Sequence, residues 1–289
     1  FWYESSQLMQ ELLRNQNKKI EQKRKELQEF IARFSANASK SKQATSRKKQ
    51  LEKLQLEDMQ VSNRKYPWID FRQEREAGNN MLKVENITKT INGETILNNV
   101  SFNINTGEKA VFISENDLAI TTLFKILIGE EQADSGTFEW GITTSRAYFP
   151  KDNTKYFENV NLTLIDWLRQ YSKDEHEEYI RGYLGRMLFS GEEAKKEAKV
   201  LSGGEKVRCM LSKMMLTDAN VLILDNPTDH LDLESITSLN KALIRFNGTL
   251  LFTTKDHEFN QTVAYKVIDI RNDKTIEKLT TYDEYIGLE

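Results

Sequence analysis

The sequence predicts an α/β domain preceded by an antiparallel helical hairpin, on three observations. Residues 1–60 contain neither proline nor glycine and carry apolar residues seven apart. Beyond residue 80, short apolar runs alternate with helix-like stretches, the pattern of a largely parallel sheet with helices between its strands. One of those runs, Val221–Leu224, is apolar throughout and ends on Asp225, as a buried strand does when it delivers a carboxylate to a binding edge.

The hairpin is read from Leu13, Ile20, Leu27 and Phe34, with Phe30 and Ile31 beside the last, a short coiled-coil stripe. Ser35-Ala36-Asn37-Ala38-Ser39 breaks it with small residues that suit a turn. A second helix resumes with Ala44, Leu51 and Leu54. A helix of about 33 residues is roughly 50 Å long, longer than a 200-residue domain is wide, so the hairpin is expected to project as an arm. The arm is assigned residues 1–78, with its tip near 35–42. Pro67 and Ala77-Gly78-Asn79-Asn80 mark the exit. The second domain, 79–289, is expected to hold strands at Leu82–Val84, Ser101–Ile104, Ala110–Ser114, Val221–Leu224 and Thr249–Thr253, and a helix at Thr121–Ile128.

Charge divides the chain in the same place. Residues 1–80 hold 17 Lys/Arg against 11 Asp/Glu, and residues 81–289 hold 24 against 33. No acid lies between Phe30 and Leu51, a stretch that contains Arg33, Lys40, Lys42, Arg47, Lys48 and Lys49. A basic cluster without interspersed acids is a candidate footprint for a polyanion. The longest unbroken apolar run is four residues, and a membrane span needs about 20. Cys209 is the single cysteine, which excludes an internal disulfide and fits a reducing, cytoplasmic setting. It sits on the helix after Leu201–Glu205 and reads as a small buried apolar residue. Phe1 is not a start methionine and no signal-peptide layout follows it, so the chain is expected to be the back part of a longer protein.

Leu201-Ser202-Gly203-Gly204-Glu205 is the most specific string, and 20 residues beyond it comes Val221-Leu222-Ile223-Leu224-Asp225-Asn226-Pro227-Thr228. Paired glycines let backbone N–H groups approach a phosphate at a helix start, and the strand-end Asp suits a Mg²⁺–phosphate ligand. Together the two strings resemble the signature and Walker B elements of ATP-binding cassette proteins, over residues 81–289. The basic hairpin with Ser41-Lys42-Gln43-Ala44-Thr45-Ser46-Arg47-Lys48-Lys49, together with Leu184–Phe189 and Tyr282–Tyr285, resembles the interdomain linker and second cassette of the ABC-F family. That resemblance implies a P-loop nucleotide-binding fold, a further cassette upstream in the same protein, no membrane domain, and action on the ribosome and its RNA.

The departures from the family pattern are as informative. At the phosphate loop, Gly-x-x-Gly-x-Gly-Lys-Ser/Thr becomes Ser114-Glu115-Asn116-Asp117-Leu118-Ala119-Ile120-Thr121. All three glycines and the lysine are gone, and Asp117 adds repulsion toward phosphate. By the resemblance Asn116, Thr121, Thr122 and Lys151 remain as the nucleotide-facing residues of this chain's own site, with Thr121 and Asp225 as Mg²⁺ ligands. Asn226 replaces the catalytic glutamate and Lys255 the switch histidine. Lys151 stands where the family has glutamine, and Ile91 where a base-stacking aromatic is expected. No catalytic residue is expected here, and hydrolysis by this cassette alone is expected to be absent or very weak. Ser202, Gly203, Gly204 and Glu205 are intact and are assigned to ATP in trans, at the upstream cassette. Lys151 and Lys255 are read mainly as solvent-facing. The competing readings are a silent RNA- or protein-binding module on a relic fold and, least favoured because of the arm, the ATPase subunit of a transporter.

Overall fold

The structure, a computed structural model, describes residues 18–29, 31–32, 46–49, 51 and 65–288. The chain divides into two compact units, Phe1–Asn63 and Arg64–Glu289. In the first, the described residues are helical. Leu27 is buried, and Ile20, Ile31 and Leu51 are half-buried, while Lys18, Lys19 and Glu21 are exposed. Among the described residues the apolar positions Ile20, Leu27, Ile31 and Leu51 are the more buried, and most of the charged ones are exposed. Arg47, Lys48 and Lys49 are exposed on helix. The tip near 35–42, with Arg33, Lys40 and Lys42, lies outside the described residues.

The second unit begins earlier than the boundary expected at 78. Ile69 and Phe71 are buried in its core, and Phe71 meets Phe246 edge-on at 6.3 Å. The Trp68 N–H donates to the Arg186 carbonyl at 2.7 Å, and Glu74 N–H to Asp218 at 2.9 Å. Two apolar side chains and these backbone bonds attach residues 65–78 to this unit, although their composition resembles a linker.

Two sheets organise it. The first is antiparallel, in the order β2-β1-β4, from β1 (Asn80–Ile91), β2 (Glu94–Asn105) and β4 (Ser135–Trp140). The second comprises β3 (Lys109–Ser114), β5 (Arg146–Phe149), β6 (Val221–Asp225), β7 (Thr249–Thr253), β8 (Lys266–Ile270) and β9 (Thr275–Lys278). Its order is β5-β6-β7-β3-β8-β9, parallel throughout except for the antiparallel edge strand β9. The strands expected near residues 82 and 101 are present but longer, because antiparallel pairing carries β1 and β2 across their polar stretches.

The period-2 alternation of buried strands divides the core. Val111, Leu222, Leu224, Leu250 and Phe252 face one cluster, with helices α2 (Leu164–Arg169), α3 (Glu177–Arg186), α4 (Gly203–Met215) and α5 (Leu233–Arg245). Ala110, Phe112, Val221, Ile223 and Leu251 face the other, under the antiparallel sheet. Helix α1 (Asp117–Ile128) lies in this second cluster, where Phe112 meets Phe102 and Phe124 edge-on at 5.3 and 5.2 Å. Cys209 is buried on α4, and burial pushes its thiol up. Two short helices close the chain, α6 (His257–Val263) and α7 (Tyr282–Ile286), tied by His257 Nε2 to Asp283 Oδ1 at 2.9 Å.

Lys266 lies within β8 and is buried. Its ammonium donates to Glu108 Oε2 and to the Asn103 carbonyl, both at 2.7 Å, and forms an ion pair with Glu277 Oε1 at 2.8 Å. Among the described residues no helix is long and apolar enough to cross a membrane.

Candidate functional site

In a parallel sheet, ligands gather beyond the C-terminal ends of the strands. Here β5, β6, β7 and β3 are neighbours. The residues following them are Lys151, Asn226, Lys255 and the Ser114–Asp117 turn. Asn116, Thr121, Lys151 and Asp225 lie at or beside this edge, whereas Thr122 is buried.

Asp225, at the end of β6, is fully buried. The Thr121 hydroxyl donates to its Oδ2 at 2.7 Å and the Asn226 amide to its Oδ1 at 3.0 Å. Burial raises the Asp225 carboxyl above the usual range, against the opposing pull of these two hydrogen bonds. The expected metal pair, Thr121 and Asp225, is therefore in contact. Asn226 takes a left-handed backbone, φ 50°, which asparagine tolerates better than most residues, and its N–H donates to the Thr253 carbonyl.

The phosphate cradle is a different matter. With its glycines replaced, the turn winds directly into α1 from Asp117, four residues before the expected start. Asn116 caps that helix: its side chain accepts from Leu118 N–H at 3.0 Å and its carbonyl from Ala119 N–H at 2.9 Å. Donors that a phosphate would need are already bonded inside the protein. Ile120 is buried at 2% exposure and packs into the core beside Leu123, and Thr122 is buried as well. Lys151 and Lys255 both reach Asp117, at 3.4 and 3.0 Å from its Oδ2. The Lys255 hydrogen bond is the main cause that holds the Asp117 carboxyl below its usual range, and Lys151 adds to it. Both lysines are solvent-exposed, as the sequence leads one to expect, and both are paired to the same carboxylate. Thr121 and Asp225 are thus in contact with each other, while Ile120 is turned into the core. Among the described residues no group of three His, Cys, Asp or Glu side chains offers an independent metal site.

The second constellation is the start of α4. Ser202 and Glu205 form a reciprocal capping box: the Ser202 hydroxyl accepts from Glu205 N–H at 3.4 Å, and Glu205 Oε2 accepts from Ser202 N–H at 2.8 Å. Glu205 also pairs with Lys196 at 3.0 Å, and its carboxyl is held low: burial opposes this but the hydrogen bonds prevail. Ser202 and Gly203 are exposed. Gly204 lies under the loop after β6, where an added Cβ would stand 2.8 Å from the His230 carbonyl oxygen; at Gly203 it would stand 3.3 Å from the His230 ring. His230 itself has a left-handed backbone, φ 65°. The glycines thus have a structural reason of their own, which the string Leu201–Glu205 does not disclose.

Sequence reasoning missed two further features. Asp117 is a hub for two lysines rather than an isolated repulsive charge, because its partners come from strands far apart in sequence. Lys213, on α4, lies over the rings of Tyr156 and Tyr171 at 4.1 and 4.5 Å. Burial pushes its ammonium down to about 8. It joins the signature helix to the segment that follows Lys151. Tyr156, Tyr171 and Lys213 carry no motif; only the fold assembles them.

Comparison with known proteins agrees with this geometry. A family profile described as ABC transporter matches residues 97–229, and a second profile of the same description matches residues 1–71. The uncharacterized ABC transporter ATP-binding protein YkpA of Bacillus subtilis is 62% identical over 99% of this chain and 53% of its own length. A probable ATP-binding protein of Escherichia coli, YbiT, is 42% identical over 90% of this chain and 49% of its own length. ABC transporter F family member 5 of Arabidopsis thaliana is 27% identical over 96% of this chain and 40% of its own. The chain spans about half the length of the curated relatives it matches. Among solved structures, cbiO1 of Clostridium perfringens, part of an ABC transporter complex, superposes with a TM-score of 0.55 and 20% identity over 73% of this chain and 92% of that one. That similarity concerns the fold alone. Domains of this family use ATP and Mg²⁺. The sheet order, the strand-end Asp225, the capped Ser202 turn and the profile match to residues 97–229 agree: the chain carries an α/β nucleotide-binding domain with the ABC ATPase fold.

Proposed function

We propose that this chain takes part in an ATP-driven switch by lending its Leu201–Glu205 turn to the nucleotide of a partner cassette, while its own phosphate site stays without nucleotide. One contrast carries the reading. The Ser202 turn stands capped and solvent-facing at the start of a 13-residue helix, whereas the Leu118 and Ala119 amides are consumed and Ile120 is buried at the other site. The Ser202 hydroxyl, the N–H groups at Gly203 and Gly204, and the helix dipole all favour a negatively charged ligand. In this reading ATP and Mg²⁺ act in trans, and the partner is an upstream cassette of the same protein. This chain alone hydrolyses ATP very slowly or not at all, because the amide of Asn226 cannot accept a proton from water. Thr121 and Asp225 remain as a pair suited to Mg²⁺.

The proposal extends to the arm. Arg33, Lys40, Lys42, Arg47, Lys48 and Lys49 bind ribosomal RNA, an assignment supported by the acid-free basic stretch, by the ABC-F resemblance and by the F-family name of the Arabidopsis relative. Phosphate contacts release counterions, so binding falls steeply with salt. Replacing Lys40, Lys42, Lys48 and Lys49 by Gln is expected to abolish ribosome co-sedimentation; unchanged sedimentation refutes the arm's role.

The signature role is tested with variants that keep the cap. Aspartate and asparagine cap helices as well as serine does. In the full-length protein, Ser202→Asn is expected to retain ATP-driven closure, read by distance labels on the two cassettes. Ser202→Asp sets a carboxylate against phosphate and is expected to abolish closure at an unchanged Tm. If Ser202→Asp closes as readily as the parent, the turn does not serve nucleotide. A silent binding module is then the better reading, and the packing of Gly204 under His230 already gives the string a purely structural use.

A further inference from the structure

An anion at the edge of an α/β sheet is held by a helix N-terminus and by cations from the neighbouring strand ends. All those parts are present here, and a side chain of the protein already sits among them. Asp117 is the first residue of α1, so its carboxylate lies where the helix dipole favours negative charge. Lys151, two residues past β5, and Lys255, two residues past β7, come from strands on opposite sides of β6. Both reach the same Oδ2 of Asp117. Both lysines remain solvent-exposed, yet each lies within ion-pair distance of the one carboxylate oxygen at the start of the helix. The carboxylate thus occupies the place, beside two cations and a helix N-terminus, that an incoming anion would take.

We propose that the Asp117 carboxylate is an internal substitute for a bound phosphate: it draws Lys151 and Lys255 onto the first turn of α1 and closes this cassette's own anion site to nucleotide. The three loops after β3, β5 and β7 are thereby pinned together without a ligand. The carboxylate carries one negative charge and two oxygens where a terminal phosphate carries more of both, so it satisfies the lysines but offers no leaving group. This inference rests on the reading that the cassette's own site lacks nucleotide, and it adds a cause beyond the missing glycines and lysine.

The test is calorimetric titration of the 289-residue chain with Mg-ATP and, separately, with AMP, which lacks the outer phosphates. The parent is expected to bind both weakly and without preference. Asp117→Asn removes the charge, keeps the side chain's size and frees both lysines. It is expected to bind ATP at least about tenfold more tightly than the parent, the gain of one charge-assisted contact, with AMP unchanged. Adding Lys151→Gln and Lys255→Gln to Asp117→Asn is expected to erase the gain. Equal ATP affinity of parent and Asp117→Asn overturns the inference and leaves the nucleotide-free reading intact. A gain that survives the two lysine substitutions overturns it equally. Tight ATP binding by the parent overturns both.

Discussion

Restoring the missing lysine alone, by Ile120→Lys, is expected to destabilise the domain without restoring nucleotide binding. Ile120 is 2% exposed and packed in the core cluster that holds Leu123 and Phe124. Removing a fully buried isoleucine side chain forfeits about 1.5–3 kcal/mol of burial. Bringing a polar head into the same place without a partner costs about 1–3 kcal/mol more. The sum, about 2.5–6 kcal/mol, corresponds to a fall in Tm of about 5–24 °C, at about 2–4 °C per kcal/mol for a domain of 150–250 residues. Mg-ATP is expected to raise the variant's Tm no more than the parent's. The Leu118 and Ala119 amides stay bonded to Asn116, and Asp117 keeps both lysines. Differential scanning fluorimetry with and without Mg-ATP measures both quantities. A variant whose Tm lies within about 2 °C of the parent and rises on adding Mg-ATP refutes the reasoning, because it means that the side chain at 120 can reach the anion edge cheaply.

Three other outcomes follow from the geometry. Burial raises the Asp225 carboxyl, so the cost of its charge is absent below the unfolded value near 3.9 and grows as pH rises through the native value; Asp225→Asn, which still accepts from Thr121, is expected to stabilise more at about pH 7 than at about pH 4.5, and an equal effect at both contradicts this. Lys266→Met leaves the buried Glu108 and the exposed Glu277 without their cation and is expected to cost about 3–5 kcal/mol, chiefly through Glu108, read as denaturant midpoint; a loss under about 1 kcal/mol speaks against a structural role for the cluster. Ser202→Ala breaks the capping box at a cost of about 1 kcal/mol, whereas Gly204→Ala must displace the His230 backbone and is expected to cost more; the reverse order in a thermal melt contradicts the packing described.

How far the sequence carried depends on where the physical signal resides. Val221–Leu224 and Thr249–Thr253 announced their strands because residues buried on both faces must be apolar throughout. Strand β4, almost wholly exposed, has no such signature, and β8 is obscured by Lys266, whose burial depends on acceptors at Asn103 and Glu108, far away in sequence, and on Glu277 of the next strand. Helix α1 starts at Asp117 rather than at the expected Thr121, because Asn116 converts the preceding stretch into a capped helix. At the site, the identities of Ile120, Asn226 and Lys255 were plain as departures from a pattern. Their consequences were not, since the meeting of Lys151 and Lys255 at Asp117, and of His230 with Gly204, joins residues 26 to 138 positions apart. Motif spacing reports which residue types are present; contacts between loops decide what they do.

The interlock at the head of α1 also bears on how such a chain can change over generations. Each altered position now supports a neighbour: Ile120 fills the core, Asn116 occupies the adjoining amides, and Asp117 neutralises two lysines. A step back at Ile120 therefore meets a loss before any gain, because a lysine there breaches the core. At Asp117 the step is open, since Lys151 and Lys255 are solvent-exposed and water can take the carboxylate's place. Two positions on one helix thus differ in how readily they can change: the core holds one, and solvent frees the other.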